Sequence, residues 1–209
     1  MTTKRIGFIG LGLIGGSIAK AIRQYYPDYE LLAFDKNKET LALAVQEGTI
    51  HTACTSIDDH FQNCAYIFLC APIAYNTAYL SQLKPYITGN CILTDVGSVK
   101  TSIHEEVIAL QMEEHFIGGH PMAGSEKSGF VNAKAHLIEN AYYIITPSAK
   151  VSGEKVTEYK TFIESLKRCR SFWIIKNMTP SPGRSAIFRT FWLLVSSILC
   201  AKLTPKMNL

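Results

Sequence analysis

The sequence predicts an α/β protein with a doubly wound, mostly parallel sheet. Two observations carry this. A short apolar run, Lys4 to Ile9, leads through Gly10-Leu11-Gly12-Leu13-Ile14-Gly15-Gly16-Ser17 into residues with helical spacing through Tyr25, which is strand, glycine turn, helix. Further on, near-continuous apolar runs recur between helical stretches, as parallel strands buried on both faces do. The composition is that of a globular chain: 209 residues, 47% hydrophobic, 18% charged, mean hydropathy +0.09. It excludes collagen, coiled coil and wholesale disorder.

Taken in order, the strands are expected at Lys4–Ile9, Glu30–Phe34, Ala65–Cys70, Cys91–Thr94, His115–Gly118 and Ala141–Thr146. Helices are expected through Tyr25, over Glu39–Gln46, from near Val99, and over Gly153–Leu166, where Val156, Tyr159, Phe162, Ile163 and Leu166 share one face. The six cysteines (54, 64, 70, 91, 169 and 200) form no C-x-x-C pair and have no His at ligand spacing, so they read as small buried hydrophobes. No metal site is expected. No signal peptide pattern precedes the first strand, and a reducing, cytoplasmic compartment follows from both points.

The glycines fit G-x-G-x-x-G, the turn that brings a backbone against a pyrophosphate. Gly10 makes the tight turn, Gly12 admits the phosphates, and Gly15 lets helix pack on strand. With Leu13 and Ile14, these residues offer backbone N–H groups and the positive end of a helix dipole to an anion. The second strand ends at Asp35, twenty residues after Gly15, where a carboxylate accepts hydrogen bonds from ribose hydroxyls. That carboxylate repels a 2′-phosphate, and Lys36 and Lys38 compensate only in part. NAD is therefore the expected cofactor, with NADP disfavoured.

In an open α/β sheet the ligand crevice lies off the carboxyl ends of the strands. Three segments fall there: Ala71-Pro72, Asp95 to Lys100, and Gly119-His120-Pro121. Ala71, Pro72 and Asp95 are candidates for cofactor contact. His120, read as lying on a loop at a strand end, is the candidate for chemistry, because imidazole accepts a proton near neutral pH. A loop-bracing role is its alternative. Ser98 is placed to orient that imidazole, to bind a substrate hydroxyl, or to cap the helix starting near Val99; Lys100 is either a site residue or a solvated charge. The remaining histidines, at 51, 60, 104, 115 and 136, read as surface residues.

Together, Gly10 to Ser17, Asp35, Leu69 to Pro72, Thr94 to Lys100 and Gly119-His-Pro-Met-Ala-Gly-Ser-Glu126 resemble the prephenate dehydrogenase family of tyrosine biosynthesis. The resemblance spans residues 4 to about 166. It implies a Rossmann-like NAD-binding domain and oxidative decarboxylation of prephenate to 4-hydroxyphenylpyruvate, with His120 taking the proton of the ring hydroxyl and Ser98 positioning that hydroxyl or the imidazole. Arogenate dehydrogenase is the nearest rival, and a non-catalytic dinucleotide-binding module is the alternative of a different class. The family's helical dimerisation domain, which supports a homodimer and completes the substrate pocket, does not fit in this length. With no Arg between Arg23 and Arg168 to bind two carboxylates, the chain reads as a fragment with little activity of its own.

Composition breaks near Lys167. Residues 167–209 hold 8 of the 21 Lys and Arg and none of the 17 Asp and Glu, and no strand or helix period continues the fold between Lys167 and Arg189. This tail is expected to be aberrant and unfolded, a frameshifted reading of the family's next segment. Shifting the triplets to the third codon base forces Asp from Trp173-Ile174 and from Met178-Thr179, and permits a string resembling the opening of the family's helical domain. The tail's basic residues are scattered, which disfavours nucleic acid as a partner. Its apolar stretch, residues 190–201, is too short to span a membrane.

Overall fold

The computed structural model describes residues 4–139, 141–166 and 172–174. Five parallel strands form the main sheet in the order β3-β2-β1-β4-β5: β1 (Arg5–Ile9), β2 (Glu30–Phe34), β3 (Thr52–Cys54), β4 (Cys64–Leu69) and β5 (Ile92–Asp95). The order reverses between β1 and β4, which puts the glycine turn after β1 beside the end of β4. A second sheet, β6-β7-β8, is made of β6 (Ile117–Pro121), β7 (Tyr143–Pro147) and β8 (Phe172–Ile174). β6 pairs antiparallel with β7, and β7 parallel with β8. The two sheets abut where Leu93 N donates to His115 O at 2.8 Å.

The helices are α1 (Leu13–Tyr25), α2 (Lys38–Gln46), α3 (Ile73–Leu83), α4 (Thr101–Ala109), α5 (His136–Glu139) and α6 (Gly153–Ser165). The period of two along the strands sorts the core onto two faces. Ile6 and Phe8 of β1 join Tyr66 and Phe68 of β4, Ile18 and Ile22 of α1, and Tyr159 and Phe162 of α6. Ile9, Ile67 and Leu69 instead join Leu80 and Leu83 of α3 and Ile103 and Val107 of α4. Burying each such side chain contributes roughly 1.5–3 kcal/mol. The face expected for α6 is the one that packs: Tyr159, Phe162, Ile163 and Leu166 are buried, and Val156 lies against the same cluster.

Several expectations are corrected. The strand read as His115–Gly118 runs over Ile117–Pro121, because β7 takes His120 into register opposite Ile144. Gly119-His120-Pro121 is thus strand rather than loop. The short β3 and helix α3 lacked a readable period. From Lys167 onward no pattern was expected to continue the fold, yet Phe172–Ile174 pair with Tyr143–Ile145 of β7. The rest of 167–209, and with it most of the stretch read as frameshifted, lies outside the described residues. Among the described residues no helix is long and apolar enough to cross a membrane. Cys54, Cys64 and Cys91 are buried free thiols, and burial pushes Cys54 up to about 11 and Cys91 up to about 12. They pack as hydrophobes rather than react.

His104 of α4 was read as a surface residue and is 3% exposed, edge-on to Phe116 with ring centroids 5.1 Å apart. Burial lowers its pKa, with Asp95 raising it and Lys100 lowering it as smaller influences. The native ring therefore resists the proton that the unfolded chain binds below about pH 6.5. Between that pH and the lowered native value the unfolded state holds more protons, so stability rises with pH there and is lost as pH falls. Urea unfolding at pH 7.5 and 5.5 is expected to show this loss, at up to about 1.4 kcal/mol per pH unit from one such group. His104→Met should flatten the slope; an unchanged slope would remove His104 as its source.

Candidate functional site: a nucleotide cleft beside a histidine strand

The turn after β1 is built by backbone crowding. Gly10 has φ +90°, and a Cβ there would lie 2.6 Å from Ala71 N. A Cβ on Gly15 would lie 2.6 Å from Gly10 O and 2.9 Å from Cys70 Cβ, so α1 rests directly on the ends of β1 and β4. Gly12 differs. A Cβ there would meet nothing within 4 Å, so the backbone side of the turn is open. Gly12 is also the N-cap of α1, with no side-chain cap and no acidic residue in the first turn, where Leu13 and Ile14 begin the helix. The helix start is therefore available to an anion.

Asp35, just after β2, accepts from Leu11 N at 2.7 Å through Oδ2 and from Asn37 N at 2.8 Å through Oδ1. Each oxygen keeps a second lone pair, enough for a pair of ribose hydroxyls. A cleft of about 200 Å³ opens here. Gly10, Gly12, Asp35, Ala71 and Pro72, all singled out in the sequence, line it together. Lys36, weighed beside Asp35 in the sequence, lines it as well, and so do Phe34, Tyr75 and Tyr79, which were missed. The i, i+4 tyrosines of α3 were the available signal, but it can be read only once α3 is recognised as a helix. Lys36 Nζ sits 4.0 Å from the centre of the Tyr75 ring. An open glycine cradle, an uncapped helix start and a carboxylate at the strand end fit a dinucleotide.

A second cluster lies at the ends of β5 and β6. Asp95 is 1% exposed and ion-paired to Lys100 at 2.6 Å. It also accepts from Gly97 N at 3.0 Å and Gly119 N at 3.3 Å. The carboxylate expected to touch cofactor is thus occupied in bracing backbone. Lys100, for which a solvated charge was one reading, is 4% exposed. His120, next to Gly119, is half-buried, with Nδ1 3.5 Å from Val96 O. Burial, and then Lys100, lower its pKa, so the ring is neutral at neutral pH. Ser98 is exposed on the connection between Val96 and Lys100. It caps nothing: α4 starts at Thr101 with Lys100 at the N-cap and no side-chain cap.

A family described as "Prephenate dehydrogenase, nucleotide-binding domain" matches residues 18–169. The chain belongs to the prephenate dehydrogenase family. Prephenate dehydrogenase of Bacillus subtilis (strain 168) is 36% identical over 157 residues, covering 74% of this chain and 42% of that protein. The Lactococcus lactis enzyme is 38% identical over 152 residues, 70% of this chain and 42% of that one. Among solved structures, arogenate dehydrogenase of Synechocystis superposes with TM-score 0.75 at 32% identity, covering 82% of this chain and 59% of that chain. Prephenate dehydrogenase from A. aeolicus in complex with hydroxyphenyl propionate and NAD+ superposes equally, TM-score 0.75, at 24% identity, over 100% of this chain and 73% of that one, a likeness of fold. The chain spans 42% of the length of the curated prephenate dehydrogenases it matches.

The turns after β1, β2 and β4 line the cleft. The end of β6 and the connection after β5 bring His120 and the backbone around Ser98 to the same end of the sheet. Neither arginine of the described residues joins them. Arg5 pairs with Glu30 at the start of β1 and β2, and Arg23, near the end of α1, bonds Pro27 O and His51.

Proposed function

We propose that this chain binds NAD in the cleft between the Gly10–Gly15 turn, Asp35 and Ala71-Pro72, and that with it the family's oxidation of prephenate, or of the closely related arogenate, takes place beside His120. The observation that carries the reading is the open side of Gly12 over an uncapped helix start with Asp35 next to it. NAD, when bound, supplies the hydride acceptor. Neutral His120 takes the proton of the ring hydroxyl on Nε2 while Nδ1 faces Val96 O, and Ser98 holds that hydroxyl or steadies the imidazole. Loss of carbon dioxide then leaves an aromatic ring, which drives the reaction. Asp95 acts at one remove, by fixing backbone. The substrate's carboxylates call for bidentate arginines, and neither described arginine lies at the site, while Lys100 is taken up by Asp95, Gly97 and Gly119; in this reading their recognition falls outside residues 4–166 and the chain alone turns over slowly. Free thiols and the absence of a spanning helix among the described residues suit a reducing cytoplasmic setting.

Calorimetry of the full chain with NAD and NADP tests this. NAD is expected to bind at sub-millimolar concentration and NADP more weakly. Asp35→Ala should weaken NAD about 10- to 100-fold, through lost charge-assisted hydrogen bonds to the ribose, and should narrow the preference over NADP. No heat at millimolar NAD would overturn the proposal.

A further inference from the structure

Lys100 sits where a lysine is costly, 4% exposed and close beneath the candidate proton acceptor. Its ammonium meets three acceptors: Asp95 Oδ2 at 2.6 Å, Gly97 O at 2.6 Å and Gly119 O at 2.5 Å. An ammonium has three donors, so none is left for a ligand. Asp95 is engaged at the same place, Oδ2 accepting from Lys100 and Gly97 N and Oδ1 from Gly119 N. The pair therefore grips two backbone segments at once, the connection after β5 and the end of β6, and at Gly119 it holds both the amide and the carbonyl. From below, the same glycine is fixed by contact. A Cβ there would lie 2.5 Å from Tyr143 Oη and 2.9 Å from Tyr159 Oη. Those hydroxyls form a buried chain with Thr94, 2.7 Å between the tyrosines and 2.8 Å from Tyr159 to Thr94 Oγ1.

We propose that Lys100 is a positioning residue for His120: by tying Gly119 and Gly97 to Asp95 it holds the imidazole with Nδ1 on Val96 O and leaves Nε2 to receive the substrate proton. The inference rests on the reading of His120 as that acceptor. The competing assignment, a lysine two residues after Ser98 that grasps a substrate carboxylate, would need a donor that Lys100 has already used. Among the described residues, the charged groups acting on His120 are Lys100 and Asp95, both from the β5–α4 side. From β7, Ile144 stands opposite it, and Tyr143, like Tyr159 of α6, is pushed by burial to ionise well above neutrality. Burial is the largest influence on the His120 pKa, and Lys100 and Asp95 are the charged pair that acts on it.

The test is nitrogen NMR of the full chain labelled on histidine, with His120→Asn to assign the signal. In the unaltered chain at pH 8, His120 is expected as the Nδ1-protonated tautomer. In Lys100→Met, its titration midpoint should rise by at least about one unit, since a positive neighbour is lost and Asp95 is left unpaired, and the two tautomers should mix. Because that variant buries a lone carboxylate, Asp95→Asn/Lys100→Met is measured beside it; tautomer mixing is expected there too, without the full rise in midpoint. Unchanged shifts and midpoint in either folded variant would overturn the proposal. So would failure of both variants to unfold cooperatively, which would assign the pair to stability alone. The readout needs no turnover, so it is separable from the reading beneath it. A His120 that responds to Lys100 while His120→Asn retains turnover would refute the catalytic role and leave the positioning intact.

Discussion

His120→Asn is expected to lower turnover about 10²- to 10⁴-fold, the range that a positioned general base supplies, while leaving NAD affinity within about twofold. The measurement suits residues 1–166 continued by the C-terminal part of the Bacillus subtilis relative, so that substrate binding does not limit the assay. Asparagine keeps a donor to face Val96 O but has no basic nitrogen for the substrate proton. NAD affinity should hold because the cleft is lined from the turns after β1, β2 and β4, with no residue of β6 among them. The pH profile separates loss of a base from loss of shape. In the unaltered protein, kcat/KM should fall as pH drops below the His120 pKa, which burial and Lys100 hold beneath the usual histidine value. The variant should lack that acidic limb. Turnover within tenfold of the parent, with the limb intact, would remove His120 from the chemistry.

The candidate cleft was legible because each of its parts follows from local chain chemistry. A left-handed turn needs glycine at Gly10, an uncapped helix start follows from Gly12, and a carboxylate closes an apolar strand at Asp35. All three can be read within a few residues of themselves. Asp95 and Lys100 could not be read that way. Their partners, Gly97 and Gly119, are joined by the abutment of β5 and β6, and the antiparallel turn of β6 onto β7 leaves no mark in a single strand. A charge in such a place looks like any exposed charge in sequence. His104 was misjudged for the same reason, since the ring that buries it, Phe116, arrives from the next strand. Helix α3 escaped notice because its apolar residues do not keep a single stripe: Tyr75 is 49% exposed at the cleft, while Tyr79 and Leu80 go to the core. The apolar face of α6, which depends only on the 3.6-residue period, was read correctly down to its individual side chains.

Two glycines of one motif should fail in opposite ways. Gly10→Ala demands a Cβ at φ +90°, 2.6 Å from Ala71 N and 2.9 Å from both Ala71 Cα and the Cys70 carbonyl carbon. Every one of those atoms is backbone at the end of β4, so no side chain can swing aside, and β1 or β4 must shift. The left-handed conformation and the clash together are expected to cost about 2–4 kcal/mol of unfolding free energy. NAD binding should fall beyond detection by calorimetry, because the same backbone shift reshapes the cleft at Ala71-Pro72. Gly12→Ala has neither problem: its φ is −77° and nothing lies within 4 Å of the new methyl. Stability should stay within about 0.5 kcal/mol, while the methyl occupies the space through which a pyrophosphate approaches the helix start, and NAD should bind at least about tenfold more weakly. Thermal unfolding paired with NAD calorimetry reads both. If Gly12→Ala bound NAD as tightly as the parent, the open side of the turn would not be where the phosphates sit; if Gly10→Ala kept full stability, the contact between the first turn and the end of β4 would be softer than its distances require.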